Sequence, residues 1–311
     1  MVIKPIDDKS KRQKLLTELI TSPKLSADQK KWLKKELNIF NKGIRGEAEA
    51  AHYLDSYFKD NENHVLLHDL RLVVEDDVAQ IDHLIISRGG NIYLIETKNY
   101  SGNLSINDHG EFTVQYDQDA FGVPSPLEQS RRHERILRKV FANLKITGRV
   151  DTDFNFVHLV LMHPKAIIHR PAASAFDTSF LLKADQFPTW HKNFIENRNA
   201  SGFMSSLINL RSSSAIKEWG ELIKGQHKPK GLLDLPEFIA PKPIKQKNSE
   251  PRKSDISSQK NPHENSAVTT AKQLICAHCG VKIDYAVGQY CWRNPARFNG
   301  LQYCREHQAL F

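Results

Sequence analysis

Between Gln80 and Gly102 the chain reads QIDHLIISRGGNIYLIETKNYSG, and Asp82, Glu96 and Lys98 stand where a plain core strand would carry valines. A buried carboxylate costs several kcal/mol unless a metal or a cation compensates it. Two carboxylates, together with waters and the phosphate oxygens of a substrate, form the hard oxygen set that suits Mg2+. Such an ion acidifies a bound water and neutralises charge developing at phosphorus. A lysine in the same site positions that water or stabilises that charge. On a solvated face the same residues would form only a cross-strand ion pair. Ile92 and Leu94, which alternate onto the face of Glu96 and Lys98, argue against solvation.

A second set lies near the C-terminus. Cys276-x-x-Cys279 and Cys304-x-x-His307 form two knuckle-like pairs separated by 24 residues, with Gly280 turning the first. Three thiolates and an imidazole make the closed tetrahedral set of structural zinc. Cys291 is a further candidate ligand, although Tyr290-Cys291-Trp292 reads better as packing. The segment is too short to bury much core, so the metal is expected to supply its folding free energy. Tyr290, Trp292, Arg293, Arg297, Phe298, Tyr303 and Arg305 interleave aromatic and basic character around the knuckles. That mixture suits base stacking with phosphate contact.

Particular elements must position the acids. The hairpin brings Asp82 opposite Glu96 only if Arg88-Gly89-Gly90 forms a three-residue loop, a common class with a left-handed glycine. A two-residue Gly89-Gly90 turn sets Asp82 against Thr97, and then a bulge would have to re-aim it. Strands are expected at His64–Val74, Ala79–Ser87, Asn91–Asn99, Glu111–Tyr116, Phe154–Met162 and Ser179–Lys183. Helical spacing predicts helices over 8–22, 26–40 and from Gly43 to Phe58. In the last of these Glu47 shares a face with Ala50, Ala51 and Leu54, a placement that helix-dipole stabilisation would also explain. A helix over Leu127–Leu144 puts Gln129, His133, Ile136, Leu137 and Val140 on one face, and later helical spacing recurs to Ile223. Helix, hairpin, helix and strand in that order is an α/β sandwich.

Composition and charge frame these sites. The 311 residues have a mean hydropathy of −0.51 and a formal charge of +8. Residues 1–46 hold 12 Lys/Arg against 5 Asp/Glu, a basic excess that points to a polyanion such as nucleic acid. No apolar run approaches the roughly 18 residues of a membrane span, and MVIKPIDDKSKRQ is no secretory signal. All four cysteines fall within Cys276–Cys304, which suits a metal site in a reducing compartment, so a cytoplasmic location is expected. A phosphate-cradling G-x-x-x-x-G-K-[ST] loop is absent, which excludes an ATP-using enzyme of that type. The expected organisation is a basic helical arm (1–40), a main domain (41–224, core 41–165), a flexible linker (225–272) rich in Pro, Lys and Ser, and a zinc-binding module (273–311).

Four stretches in order resemble the nuclease-related (NERD) branch of the PD-(D/E)XK nuclease superfamily: Gly43-x-x-Gly46-Glu47, Gln80-Ile81-Asp82-His83, Ile95-Glu96-Thr97-Lys98-Asn99-Tyr100-x-Gly102, and Pro126-x-x-Gln129. The resemblance implies a restriction-endonuclease-like mixed sheet flanked by helices. It also implies catalysis by Glu47, Asp82, Glu96, Lys98 and Gln129, with Mg2+ or Mn2+ on Asp82, Glu96 and Glu47. Ser125 stands where the family usually has Asn, and a Trp after the Gly102 segment is missing. The expected function is metal-dependent hydrolysis of DNA, with RNA a second substrate class and the zinc module assisting nucleic-acid binding. The rival is an adaptor for nucleic acid or protein on a nuclease fold that no longer cuts. His83 and His133 are candidate general bases, although hydrogen-bonded structural roles are commoner for such histidines. Arg131, Arg132 and Arg135 are candidate contacts to the nucleic-acid backbone.

Overall fold

The computed structural model describes residues 1–148, 153–197, 200–231, 234–239, 274–277, 279, 281–294, 298 and 301–308. It divides into two units, Met1–Ile244 and Lys245–Phe311. In the first, the strands are β1 (Val2–Lys4), β2 (His64–Val74), β3 (Asp77–Ser87), β4 (Asn91–Lys98), β5 (Asn103–Ile106), β6 (Phe112–Tyr116), β7 (Asp119–Val123), β8 (Asn155–Met162), β9 (Ile168–His169) and β10 (Leu181–Lys183). Its helices are α1 (Ser10–Thr21), α2 (Ala27–Phe58), α3 (Pro126–Asn143), α4 (Phe187–Glu196), α5 (Ala200–Ile208) and α6 (Ser213–Lys224).

A six-stranded sheet of order β1-β2-β3-β4-β8-β10 carries the fold. The antiparallel meander β2-β3-β4 forms its centre, and β1, β8 and β10 join parallel to their neighbours. One face packs Leu67, Leu84, Ile86 and Leu94 against Ile136 and Leu137 of α3 and Ile216 and Ile223 of α6. The other packs Leu66, Ile85, Tyr93 and Ile95 against Ala50, Leu54 and Phe58 of α2 and Phe187 of α4. Each fully buried side chain of this kind contributes about 1.5–3 kcal/mol. The result is the expected mixed α/β arrangement, a mixed sheet flanked by helices. A second sheet, β7-β6-β5-β9, packs its own apolar face on Val160, Met162 and Leu181.

The N-terminal organisation differs from expectation. The helices foreseen over 26–40 and from Gly43 to Phe58 are one helix, α2, which starts at a capping box between Ser26 and Gln29. Gly43 and Gly46 do not interrupt it. Gly46 lies so close to β4 that a Cβ would come within 2.8 Å of the Asn99 Cβ. That approach explains a glycine that costs about 1 kcal/mol of helix propensity. The boundary expected at 40/41 therefore falls inside a helix, and Leu16, Leu25 and Leu33 share a core with Ile239.

The linker expected from residue 225 also starts later than its composition suggests. The Lys228 amide donates to the Arg71 carbonyl at 2.9 Å, and His227 lies between the Arg71 amide (3.0 Å) and Asp7 (2.9 Å). Leu235 and Ile239 supply the apolar anchors that the surrounding Pro/Lys-rich text obscures. The rest of that segment, 240–273, lies outside the described residues. No described helix is long and apolar enough to cross a membrane.

The hairpin loop is the three-residue one. His83 pairs with Ile95 and Ile86 with Ile92, a register that sets Ser87 opposite Asn91 and Asp82 opposite Glu96. Gly90 sits at φ +79° and donates to the Ser87 carbonyl at 3.1 Å. Gly90→Ala puts a side chain on that left-handed backbone and 2.9 Å from the Asn209 Cβ. It should cost about 1–2 kcal/mol, read as a lower urea midpoint at unchanged slope. Gly122→Ala, where a Cβ meets nothing within 4 Å, should stay within about 0.5 kcal/mol of the parent.

Candidate active site

The site begins with an interruption in the sheet. β2 and β3 pair in one register from His64/Ser87 to Val74/Asp77, but the Asp69/Asp82 pair is missing from that ladder. Asp69 has φ +52°, unusual for a residue with a side chain. Side-chain alternation resets there. Ala79 and Ile81 lie in the same core as Leu84 and Ile86, so Asp82 and His83 together turn from that core. The β3–β4 ladder ends alongside, at His83/Ile95. The Thr97 amide is thereby released from strand pairing on this side and donates to Asp82 Oδ2 at 2.7 Å. Asp82 thus sits in a fork between β3 and β4, while β4 continues beside β8 as far as Lys98/Met162. Strict alternation would put Gln80, Asp82, Leu84 and Ile86 on one face, and the interruption prevents it, although the hairpin loop is the three-residue one that sets Asp82 opposite Glu96.

Four of the five candidate catalytic residues meet around the fork. Lys98 Nζ donates to Glu96 Oε1 at 2.6 Å and to Gln129 Oε1 at 3.2 Å. Gln129 Nε2 donates to the same Glu96 oxygen at 2.7 Å, closing a triangle between β4 and α3. Ser125 caps α3 with its side chain on the Glu128 amide. Serine is as good a cap as asparagine, so this departure from the family wording leaves Gln129 in place. The fifth residue, Glu47, comes from α2 and is held by Lys9, whose Nζ lies 2.6 Å from Glu47 Oε2 and 3.1 Å from Asp69 Oδ2.

The electrostatics follow from this crowding. Removal from water pushes Asp82 well above the usual carboxylate range, and the Glu96 and Glu47 charges push it further. Burial also raises Glu96 and Glu47, against the opposing pull of Lys98 and Lys9 respectively. Burial pulls Lys98 down, but Glu96 and Asp82 outweigh it and keep the ammonium charged. His133 is lowered to about 4 by burial and by Arg132 and Lys98, and its Nδ1 is 3.9 Å from Glu96 Oε2. His83 is fully buried with both ring nitrogens engaged inside the protein, a structural role and not that of a base open to substrate.

Lys9 and Asp69 were not foreseen. Asp69 obeyed the rule that singled out Asp82, an acid inside an apolar strand, and was legible on that ground. Lys9 gave no local signal, since it reads as one of many solvated lysines 38 positions from Glu47. Together with Gln80, Arg71 and His227 these residues line a cleft of about 370 Å3 that opens beside Glu47.

In the C-terminal unit, a short bridge (Ile275 with Lys282), helix α7 (Tyr285–Arg293) and helix α8 (Arg305–Gln308) surround a core of Cys276, Ile283, Cys291, Phe298 and Tyr303. Cys276, Cys279, Cys304 and His307 bring one ligand atom each to within 4.8 Å of one another. Cys279 and Cys304 sulfurs are 3.9 Å apart, and Cys276 Sγ is 3.7 Å from His307 Nδ1. Sulfurs around a tetrahedral zinc with bonds of about 2.3 Å are about 3.8 Å apart, so the donor set fits zinc. Cys291 lies outside this group, its buried sulfur accepting from the Tyr303 amide at 3.3 Å.

The acid cluster fits a hard divalent ion by chemistry, since crowded carboxylates held above their ordinary range are relieved by a cation. It is looser than the thiolate site. Among the described residues only the Cys3His group places three or more ligand atoms within 4.8 Å; the Glu47 and Glu96 carboxylates instead rest on Lys9 and Lys98. Comparisons with curated proteins and with solved structures return no match. Residues 42–167, which carry Glu47, Asp82, Glu96, Lys98 and Gln129, match the family model of the nuclease-related domain, NERD.

Proposed function

We propose that the protein is a metal-dependent nuclease that hydrolyses DNA phosphodiester bonds. The observation that carries this reading is the meeting of Glu96, Lys98 and Gln129 beside Asp82 in the fork, with Glu47 facing them from α2. Asp82 and Glu96 would hold Mg2+ or Mn2+, and Glu47 would join them on release from Lys9. Bound there, the ion supplies an acidified water and neutralises charge at phosphorus. Lys98, kept charged by its two acids, orients the attacking water or stabilises the developing oxyanion. Gln129 fixes Glu96 and Lys98 relative to each other.

Partner contacts follow from charge. Lys31, Lys35, Lys42 and Arg45 are exposed at spacings that form one stripe on α2. At about 1.5 Å per residue the stripe extends about 21 Å and leads toward Glu47. Arg131, Arg132 and Arg135 are exposed on α3. In the C-terminal module, zinc would fix the fold, and the exposed Tyr290 and Trp292 would offer stacking surfaces to unpaired bases. A zinc site built of reduced cysteines suits a reducing, cytoplasmic setting.

Incubation of the full chain with supercoiled and single-stranded DNA and Mg2+ or Mn2+ tests the reading. Asp82→Ala and Lys98→Ala should each lower the cleavage rate by a factor on the order of 10^2 or more. Cleavage that survives both substitutions rules out this site, and wild-type protein that binds DNA without cutting it would be the adaptor. Asp82→Asn should make the metal-free protein more heat-stable at neutral pH, because it removes one of three crowded charges. Asp82, with its raised pKa, takes up a proton as pH falls, so the gain should shrink on acidification; a gain independent of pH contradicts the charge argument. For the module, elemental analysis should find one zinc per chain, lost in Cys304→Ser and kept in Cys291→Ser.

A further inference from the structure

A line of buried polar groups runs from the outer surface of α2 to Asp82, and nothing in the catalytic set accounts for it. Asp55 Oδ1 lies 2.9 Å from His68 Nε2. His68 Nδ1 lies 2.7 Å from His83 Nδ1, and His83 Nε2 lies 3.0 Å from Thr97 Oγ1. The Thr97 amide then donates to Asp82 Oδ2 at 2.7 Å. His68 is 1% exposed and His83 0%, whereas Asp55 is 45% exposed at its side chain.

With one proton on each imidazole, the line has one direction. Asp55 accepts, so His68 donates from Nε2 and presents a bare Nδ1. His83 donates into that nitrogen and is left with an acceptor at Nε2. The Thr97 hydroxyl donates there, which fixes its side-chain rotamer and with it the peptide that carries the donor to Asp82. Buried polar groups are tolerated only while each keeps its partner, and a structural purpose alone would be served as well by apolar residues of the same shape. Thr97 is also the residue between Glu96 and Lys98. Any turn of its peptide therefore moves Glu96 and Lys98 as well as the donor to Asp82.

We propose that Asp55, His68, His83 and Thr97 are positioning residues that orient the Asp82 carboxylate for metal binding through the Thr97 peptide. The proposal rests on the nuclease reading for its purpose, but the geometry it asserts is testable without activity. Outer hydrogen bonds of this kind typically change metal affinity by about 10–100-fold when lost.

Thr97→Val keeps the volume and β-branching and deletes the hydroxyl; Thr97→Ser keeps the hydroxyl. In the full chain, Thr97→Val should weaken Mn2+ binding, measured by calorimetry, by about tenfold. It should lower kcat at saturating metal by a similar factor, with KM for DNA within about twofold. Thr97→Ser should return both to within about threefold of wild type. At the far end, Asp55→Ala should show a smaller loss in the same direction and Asp55→Asn, which still accepts from His68, little or none. Equal Mn2+ affinity and kcat in Thr97→Val and wild type overturns the proposal, and so does a Thr97→Ser that fails as badly as Thr97→Val. If the wild-type protein neither binds Mn2+ nor cleaves, the nuclease reading falls by itself. A crystal structure of Thr97→Val then decides the positioning claim, which a displaced Asp82 carboxylate upholds and an unmoved one refutes.

Discussion

Three carboxylates share the partly buried end of one sheet with two ammonium groups, and the surrounding fold is arranged to make that tolerable. Lys98 answers Glu96, Lys9 answers Glu47 and Asp69, and among the described residues Asp82 has only the Thr97 backbone amide as a direct hydrogen-bond partner. Asp82 is accordingly the acid driven furthest from its ordinary state. The fork between β3 and β4 is what supplies that amide. Had the ladder continued past His83, the Thr97 N–H would have been spent on strand pairing and Asp82 left with nothing.

The fork has its own cause one strand away. Asp69 adopts a left-handed backbone, and the alternation of both β2 and β3 resets around it. A non-glycine residue there costs on the order of 1–2 kcal/mol, which its ion pair with Lys9 and a 2.6 Å hydrogen bond from Gln80 help to offset. The N-terminal segment is thus part of the site's foundation, because it delivers Lys9. The continuous α2 joins the same two regions, since its first half packs on α1 and its second half carries Glu47 to the fork.

Much of this was legible in the sequence, and the failures have physical reasons. The two strands and the loop of the acidic hairpin could be read because β-branched runs and Gly89-Gly90 leave few alternatives. Asp82, Glu96 and Lys98 stood out because charge in an apolar strand needs an explanation. The facing of Asp82 could not be read, since strict alternation assumes an unbroken strand and the break originates at Asp69, 13 residues earlier. Gly43 and Gly46 suggested a helix boundary by propensity, but the helix runs through both, and at Gly46 the close approach of Asn99, just after β4, accounts for the glycine. Lys9 was invisible for a different reason: its importance depends wholly on tertiary placement, and a lysine beside other lysines carries no local mark. His83 was weighed as a base from its type alone, whereas its complete burial and two internal hydrogen bonds give it a different task.

The two candidate metal sites show opposite solutions to binding a cation. At the C-terminal cluster, three sulfurs and an imidazole already stand at zinc-like separations, and the module has little other core to hold it together. Closure there serves stability. Around Asp82 the carboxylates are spread apart, and lysines occupy two of them. A preformed cage of three bare carboxylates would repel itself in the metal-free protein, whereas ammonium groups keep the acids ionised and near at hand. The same looseness would leave room for the phosphate oxygens and water that the proposed hydrolysis has to admit along with an ion. On the proposed reading, the ion pairs of the metal-free protein would compete with the bound state, and the balance between Lys9 and an incoming cation at Glu47 would help to set how tightly a metal is held.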